Sequence, residues 1–305
     1  MIRKIITYEI KQRFWHWSTL LFFLMLMFQG IWYTKGNFDF DVNEDVLMNA
    51  PSIFYKNLAA GGMLMIIIIC IVTGTALYKD IRYKTGQWIY TLPINEKSFY
   101  LGRFTSAFIF NVILALGYLV GMLLVPYSGI GEAHRFGPTP IGQLLHGFTF
   151  LVIPNLFLLT SIFFFALVFS KKMAVGYLTI FLTVISFLVM QTSSESGGIT
   201  TILTLADPFG YVATTEVIEN LTTVERNTAY LPLSGNLFTN RIIWLSIALF
   251  LAILSYFKFS FKWFGNHVNA KKKLLSTNTS HEVMPEKKPI LPNLSFTSAD
   301  FIKKL

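Results

Sequence analysis

The sequence predicts an all-α integral membrane protein with six transmembrane helices. Three observations predict it. Hydrophobic residues make up 53% of the 305 positions, and the mean hydropathy is +0.55. Only 13% of residues are charged, where a soluble domain carries about 25%. Apolar runs close to the roughly 20 residues that cross a bilayer recur along the whole chain. They occupy residues 17–33, 59–78, 101–125, 144–169, 173–190 and 241–257. Only Ser170, Lys171 and Lys172 separate the fourth run from the fifth, so these two form a helical hairpin. The first run has no small-residue cleavage pattern after it and reads as a retained span. The single cysteine, Cys70, lies inside the second run; it has no partner for an intrachain disulfide and serves as a small hydrophobe.

The net charge of +9 is unevenly placed. Arg3, Lys4, Lys11 and Arg13 precede the first span. Lys79, Arg82, Lys84, Lys97 and Arg103 lie between the second and third, Lys171 and Lys172 between the fourth and fifth, and Lys258 and Lys262 after the sixth. The intervening loops are acidic or nearly neutral: Asp39, Asp41, Glu44 and Asp45 in the first, Arg135 in the third, and Glu195, Asp207, Glu216, Glu219 and Glu225 in the fifth. The excess of cytoplasmic Lys and Arg in membrane proteins places both termini inside. It also makes an anionic lipid leaflet, rather than nucleic acid, the neighbour of the basic segments.

Three regions follow. Residues 1–16 carry Ile2, Ile5, Ile6, Ile10 and Phe14 at near-helical spacing, with cations on much of the remainder. They predict an amphipathic helix lying among the lipid headgroups. Residues 17–264 form the six-span bundle, with a cytoplasmic segment at 79–103 and an outer segment at 191–240. Residues 265–305 are rich in Lys, Ser, Thr, Asn and Pro and read as a linker or disordered tail. Their end, SADFIKKL, resembles the chain's own start, and the expectation is a longer polypeptide whose second half begins there.

Several chemistries have no motif here. The sequence contains no phosphate-binding G-x-x-x-x-G-K-[ST], no H-E-x-x-H, no Cys/His cluster with zinc spacing and no G-x-S-x-G. The expectation is no cofactor, no metal and no enzymatic activity. The span interiors hold mild polar groups (Thr73, Thr75, Asn111, Asn155, Thr160, Thr179, Thr183) and almost no ionisable ones. Ion-coupled carriers need the latter at membrane depth, so the energy for any transport comes from elsewhere. Gly117 and Gly121 allow close helix approach, inside the bundle or in a dimer. Pro154 predicts a kink in the fourth span, with Asn155 beside it to satisfy freed backbone groups.

The segment KDIRYKTGQWIYTLPINEKSFYLGR spans residues 79–103. Ile81, Trp88, Ile89 and Leu92 share one helical face, interspersed with Asp80, Arg82 and Lys84. The chain breaks at Pro93, and a second short helix follows with Asn95 as its cap and Glu96 and Lys97 exposed. Ser98, Phe99 and Tyr100 return it to the membrane. Two readings stay open on these residues. The segment is a surface for a soluble motor to push on, or an interfacial loop anchored by Trp88, Tyr90, Phe99 and Tyr100 in the aromatic belt.

These features together resemble the permeases of type-2 ATP-binding-cassette exporters. Leu92, Pro93 and Ile94, then a polar helix, then Leu101, Gly102 and Arg103 fit a recurrent family pattern. Asp207, Pro208, Phe209 and Gly210, with Asn240, Arg241 and Trp244, are similar to positions shared by Bacteroidetes-like members. Thr85-Gly86 departs from the family's usual Gly-Thr. The resemblance implies that Leu92, Pro93, Ile94, Asn95, Glu96, Lys97, Ser98 and Phe99 form a coupling helix docking on an ATPase subunit. It implies that Asp80, Arg82, Lys84 and Trp88 belong to a gate-like interfacial helix. It also implies short outer helices in 191–240, a bacterial plasma-membrane location, and a second permease half, identical, different or on the same chain. Some relatives are fused to a second half and a zinc aminopeptidase. The competing expectation is a membrane anchor that positions a partner enzyme and transports nothing.

Overall fold

The computed structural model describes residues 2–34, 45–61, 63–82, 94–129, 133–195 and 200–261. Every regular element among them is helical. Helix α1 (Ile2–Phe14) precedes α2 (Trp17–Thr34), α3 (Pro51–Ala60) and α4 (Met63–Arg82). Helix α5 (Glu96–Leu124) follows, then α6 (Ile141–Gly147), α7 (Ile153–Ser170) and α8 (Met173–Glu195). Three short helices, α9 (Thr201–Ala206), α10 (Tyr211–Glu219) and α11 (Thr223–Thr228), lead to α12 (Gly235–Lys258). Of the expected site residues, Lys84, Trp88, Leu92 and Pro93 lie outside the described residues, as does the tail 265–305; Asp80 and Arg82 fall in the last turn of α4.

Five helical stretches are long and apolar enough to cross a membrane, and the bent pair α3 and α4 makes up to six. The second span differs from the uninterrupted helix expected over 59–78. Gly61 adopts a left-handed φ of 55° and its N–H donates to the Asn57 carbonyl, which closes α3 before α4 begins. The third span also differs. Asn95 caps α5 itself, its side chain accepting from the Lys97 N–H at 2.9 Å, so the short helix expected after Asn95 is the first turn of the span. In the fourth span a π-helical turn, Phe148–Val152, runs directly into Pro154 in the first turn of α7. The wider turn absorbs the missing proline N–H, and the span continues from Ile141 to Ser170.

Apolar side chains gain little from leaving lipid for protein, so close backbone packing does much of the work of holding a bundle together. Helices α2 and α5 pack along each other in this way. A Cβ on Gly121 would stand 2.0 Å from the Met27 carbonyl oxygen, and one on Gly30 would stand 2.2 Å from that of Tyr118. Gly117 faces the Phe23 carbonyl on the same seam, so Gly117 and Gly121 of α5 meet α2 of their own chain.

The bundle is chemically polarised. One end gathers α1, the last turns of α4 and α12, the first turn of α5 and the Lys171-Lys172 turn; Tyr78 Oη donates to the Lys171 carbonyl there. The opposite end holds α3, α6 and α9 to α11. Its loops are fastened by Asn49, which pairs both ways with the Gly137 backbone at 2.7 and 2.8 Å, and by Asn227, which accepts from the Leu47 N–H.

Candidate functional site

At the basic end, Glu9 on α1 is almost fully buried, 1% exposed. Lys79 Nζ on α4 lies 2.7 Å from both of its carboxylate oxygens, Arg103 Nη1 on α5 lies 2.7 Å from Oε1, and Arg13 Nε lies 3.6 Å from Oε2. Among the described residues every ion pair runs to Glu9. Three cations from three helices thus converge on one carboxylate. A buried charge survives only when paired and hydrogen-bonded, so the cluster fixes α1 to two spans at the basic end. Helix α1 is therefore not simply afloat among headgroups; its polar face is docked. The residue types hinted at this, because Glu9 is the one acid in the first 34 residues. Its burial came from tertiary contacts that α1's own periodicity does not encode.

The flank on the other side of segment 83–93 is fastened as well. Lys97 Nζ donates to the carbonyls of Tyr256 at 2.6 Å and Phe257 at 2.9 Å, in the last turn of α12. Glu96 Oε1 accepts from the Phe261 N–H at 3.1 Å. Both side chains are half-buried, where the sequence had suggested exposure. Phe99 is buried, stacked on Phe259 with ring centres 6.2 Å apart and edge-on to Phe261 at 5.3 Å. Tyr100, Phe104 and Phe164 extend this aromatic cluster, with Phe104 and Phe164 centred 5.0 Å apart. Ile94 packs against the same cluster and Ser98 is half-buried, while Asn95 is exposed.

At the opposite end the structure brings together the two motifs that the sequence keeps some thirty residues apart. Asp207 is fully buried; its Oδ1 accepts from the Phe209 N–H at 2.9 Å and its Oδ2 from the Val212 N–H at 2.8 Å, opening α10. Pro208 offers its carbonyl toward Arg241 Nη2 at 3.5 Å. Gly210 adopts φ 75°, and a Cβ there would stand 2.3 Å from the Arg241 guanidinium, so a bare backbone is needed on two counts. Asn240 Nδ2 donates to the carbonyls of Thr204 at 2.7 Å and Asp207 at 2.8 Å, and Trp244 Nε1 donates to that of Leu205 at 3.1 Å. Arg241 Nη1 donates to Asn155 Oδ1, while Asn155 Nδ2 donates to the Phe209 carbonyl, each at 2.9 Å. Asn155 therefore serves the outer segment rather than the helix freed by Pro154. Burial pushes the Asp207 carboxyl above its ordinary pKa, against the opposing pull of the Val212 and Phe209 amides and of Arg241.

Arg103 and Arg241 are both buried, each near the N-terminal end of its helix. Midway between them Asn111 Nδ2 donates to Thr73 and Thr160 at 3.1 Å, tying α5 to α4 and α7.

An all-helical bundle with this many apolar spans defines a polytopic membrane protein. The family of ABC-2 family transporter proteins matches residues 10–186, more than half of the chain, and the chain belongs to it. It is thereby a membrane transport component of the kind that works with an ATP-binding-cassette ATPase. No curated protein and no solved structure matches the chain.

Proposed function

We propose that the chain is one permease half of an ATP-driven exporter in a bacterial plasma membrane, with the basic end facing the cytoplasm. A soluble ATPase subunit docks on the segment around Leu92, Pro93 and Ile94, and a second permease half completes the pathway. The observation that carries this reading is the fastening on both sides of residues 83–93. On one side Lys79 is held by Glu9; on the other Lys97 is held by α12. A displacement applied to the segment is then delivered to α1, α4, α5 and α12 together instead of being lost in a slack loop. Glu96, Lys97 and Phe99 act on this reading as transmitters within the bundle, and the contact with the motor falls to residues 83–94. The orientation rests on the alternation of basic and acidic flanks.

The test is purification of the tagged chain in mild detergent. A stoichiometric ATP-binding-cassette ATPase is expected with it, and it should be lost when Leu92, Pro93 and Ile94 are replaced together by Gly, Ser and Asp. Recovery of a different enzyme with no such ATPase would instead support an anchoring role.

A further inference from the structure

Beside the Glu9 cluster, between α1, α2 and α4, lies a cavity of about 330 Å³. Lys79 and His16 line it toward the basic end, and Phe22 and Ile71 one or two turns further along α2 and α4. The Arg13 guanidinium lies between them, 5.8 Å over the Phe110 ring, with Nη1 donating to the Val72 carbonyl at 3.1 Å. Arg13 and Lys79 both pair with Glu9, and Lys79 Nζ also donates to Gln12 Oε1 at 2.9 Å. Arg13 Nη2 has no hydrogen-bond partner among the described residues. His16 Nδ1 lies 2.9 Å from Ser18 Oγ and 3.3 Å from the Ser18 backbone nitrogen, which holds the ring on the cavity wall. Trp15 and Trp17, in the α1–α2 turn on either side of His16, are 84% and 81% exposed, as interfacial aromatic residues are, and Ile71 is exposed as well.

We infer that this cavity binds an anionic glycerophospholipid, its phosphate against Arg13, Lys79 and His16 and one acyl chain along Phe22 and Ile71. Cations and apolar side chains lining one cavity match a molecule that carries both a phosphate and an acyl chain. The free phosphate ion shares the first half of that chemistry and not the second. The inference goes beyond the exporter reading and stands whether or not an ATPase binds. A lipid seated there bridges α1, α2 and α4 next to the coupling segment.

The experiment is native mass spectrometry of the full chain, delipidated in detergent and titrated with phosphatidylglycerol, phosphatidylcholine or inorganic phosphate. One phosphatidylglycerol per chain is expected, bound at least tenfold tighter than phosphatidylcholine. Thr75→Phe should weaken it at least tenfold by filling the cavity, because Thr75 is exposed and bonds only within its own helix, to the Val72 carbonyl. His16→Glu should weaken it at least tenfold through charge; His16 is exposed and contacts Ser18 locally, so this variant decides the matter if Thr75→Phe does not fold. Equal binding of the two lipids, or phosphatidylglycerol binding untouched in a folded variant, overturns the site. Displacement of the lipid by millimolar inorganic phosphate overturns the lipid assignment in favour of a free phosphate.

Discussion

Lys97 Nζ lies 2.6 Å from the main-chain carbonyl of Tyr256, a residue 159 positions further along the chain. The last carbonyls of a helix have no partner within it, and a cation there meets the negative end of the helix dipole. The first turn of α5 is therefore the cap of α12, and the third and sixth spans are joined at the basic end.

Lys97→Met keeps the apolar stem and removes the cap. It should lower stability by about 1 kcal/mol, read by chemical unfolding in detergent, while Lys97→Arg should restore most of it. In a reconstituted complex the Met variant should bind the ATPase yet lose the response of ATP hydrolysis to the permease. Unchanged coupling would show that the link between α5 and α12 transmits nothing.

Removing Glu9 should cost more. Glu9→Gln removes the carboxylate that Lys79, Arg103 and Arg13 share, and breaking such a buried cluster costs about 3–5 kcal/mol. Arg13→Gln should cost less, since Arg13 is the most distant partner at 3.6 Å. Thermal unfolding of the two variants in the same detergent checks the order; a reversed order would assign the anchoring of α1 to its apolar face.

Gly121→Val tests the seam between α2 and α5. Its Cβ would meet backbone, the Met27 carbonyl at 2.0 Å, and backbone cannot rotate away as a side chain can. The two helices must separate, at a cost of about 3 kcal/mol or more. Gly176→Ala is the control, because its Cβ meets the end of Leu167 at 3.1 Å. Folded yield by size-exclusion chromatography should collapse in the first and hold in the second.

These predictions mark what the sequence could and could not convey. Span positions were legible because twenty apolar residues in a row have one physical use; the short helices of 200–228 were expected only from the family resemblance, although Thr200, Thr222 and Glu225 cap them locally. The family motifs were legible as residues, Asp207 and Arg241 included. Their purpose was not, because Asp207 caps α10 while Arg241 reaches Asn155, 86 positions away. Glu96 and Lys97 looked like surface residues for the same reason: their partners lie at the far end of the chain. Charge pattern reports which end a residue occupies, and only packing reports whom it meets.

Asp207 yields a test that depends on pH. Burial raises its pKa in the folded state above the ordinary carboxylate value. An acid whose folded pKa is raised contributes stability that is fully present below its unfolded pKa and is lost as pH rises through the folded one. Asp207→Asn removes this titration and carries a fixed penalty, since the amide has one acceptor oxygen for the two amides of Phe209 and Val212. The Tm of the wild type minus that of Asp207→Asn should therefore be largest in acid and fall as pH rises above about 4. Thermal unfolding of both proteins across that range decides it. A difference that instead grows with pH would mean that Arg241 and the two amides outweigh burial, and that the folded carboxylate is held down rather than up.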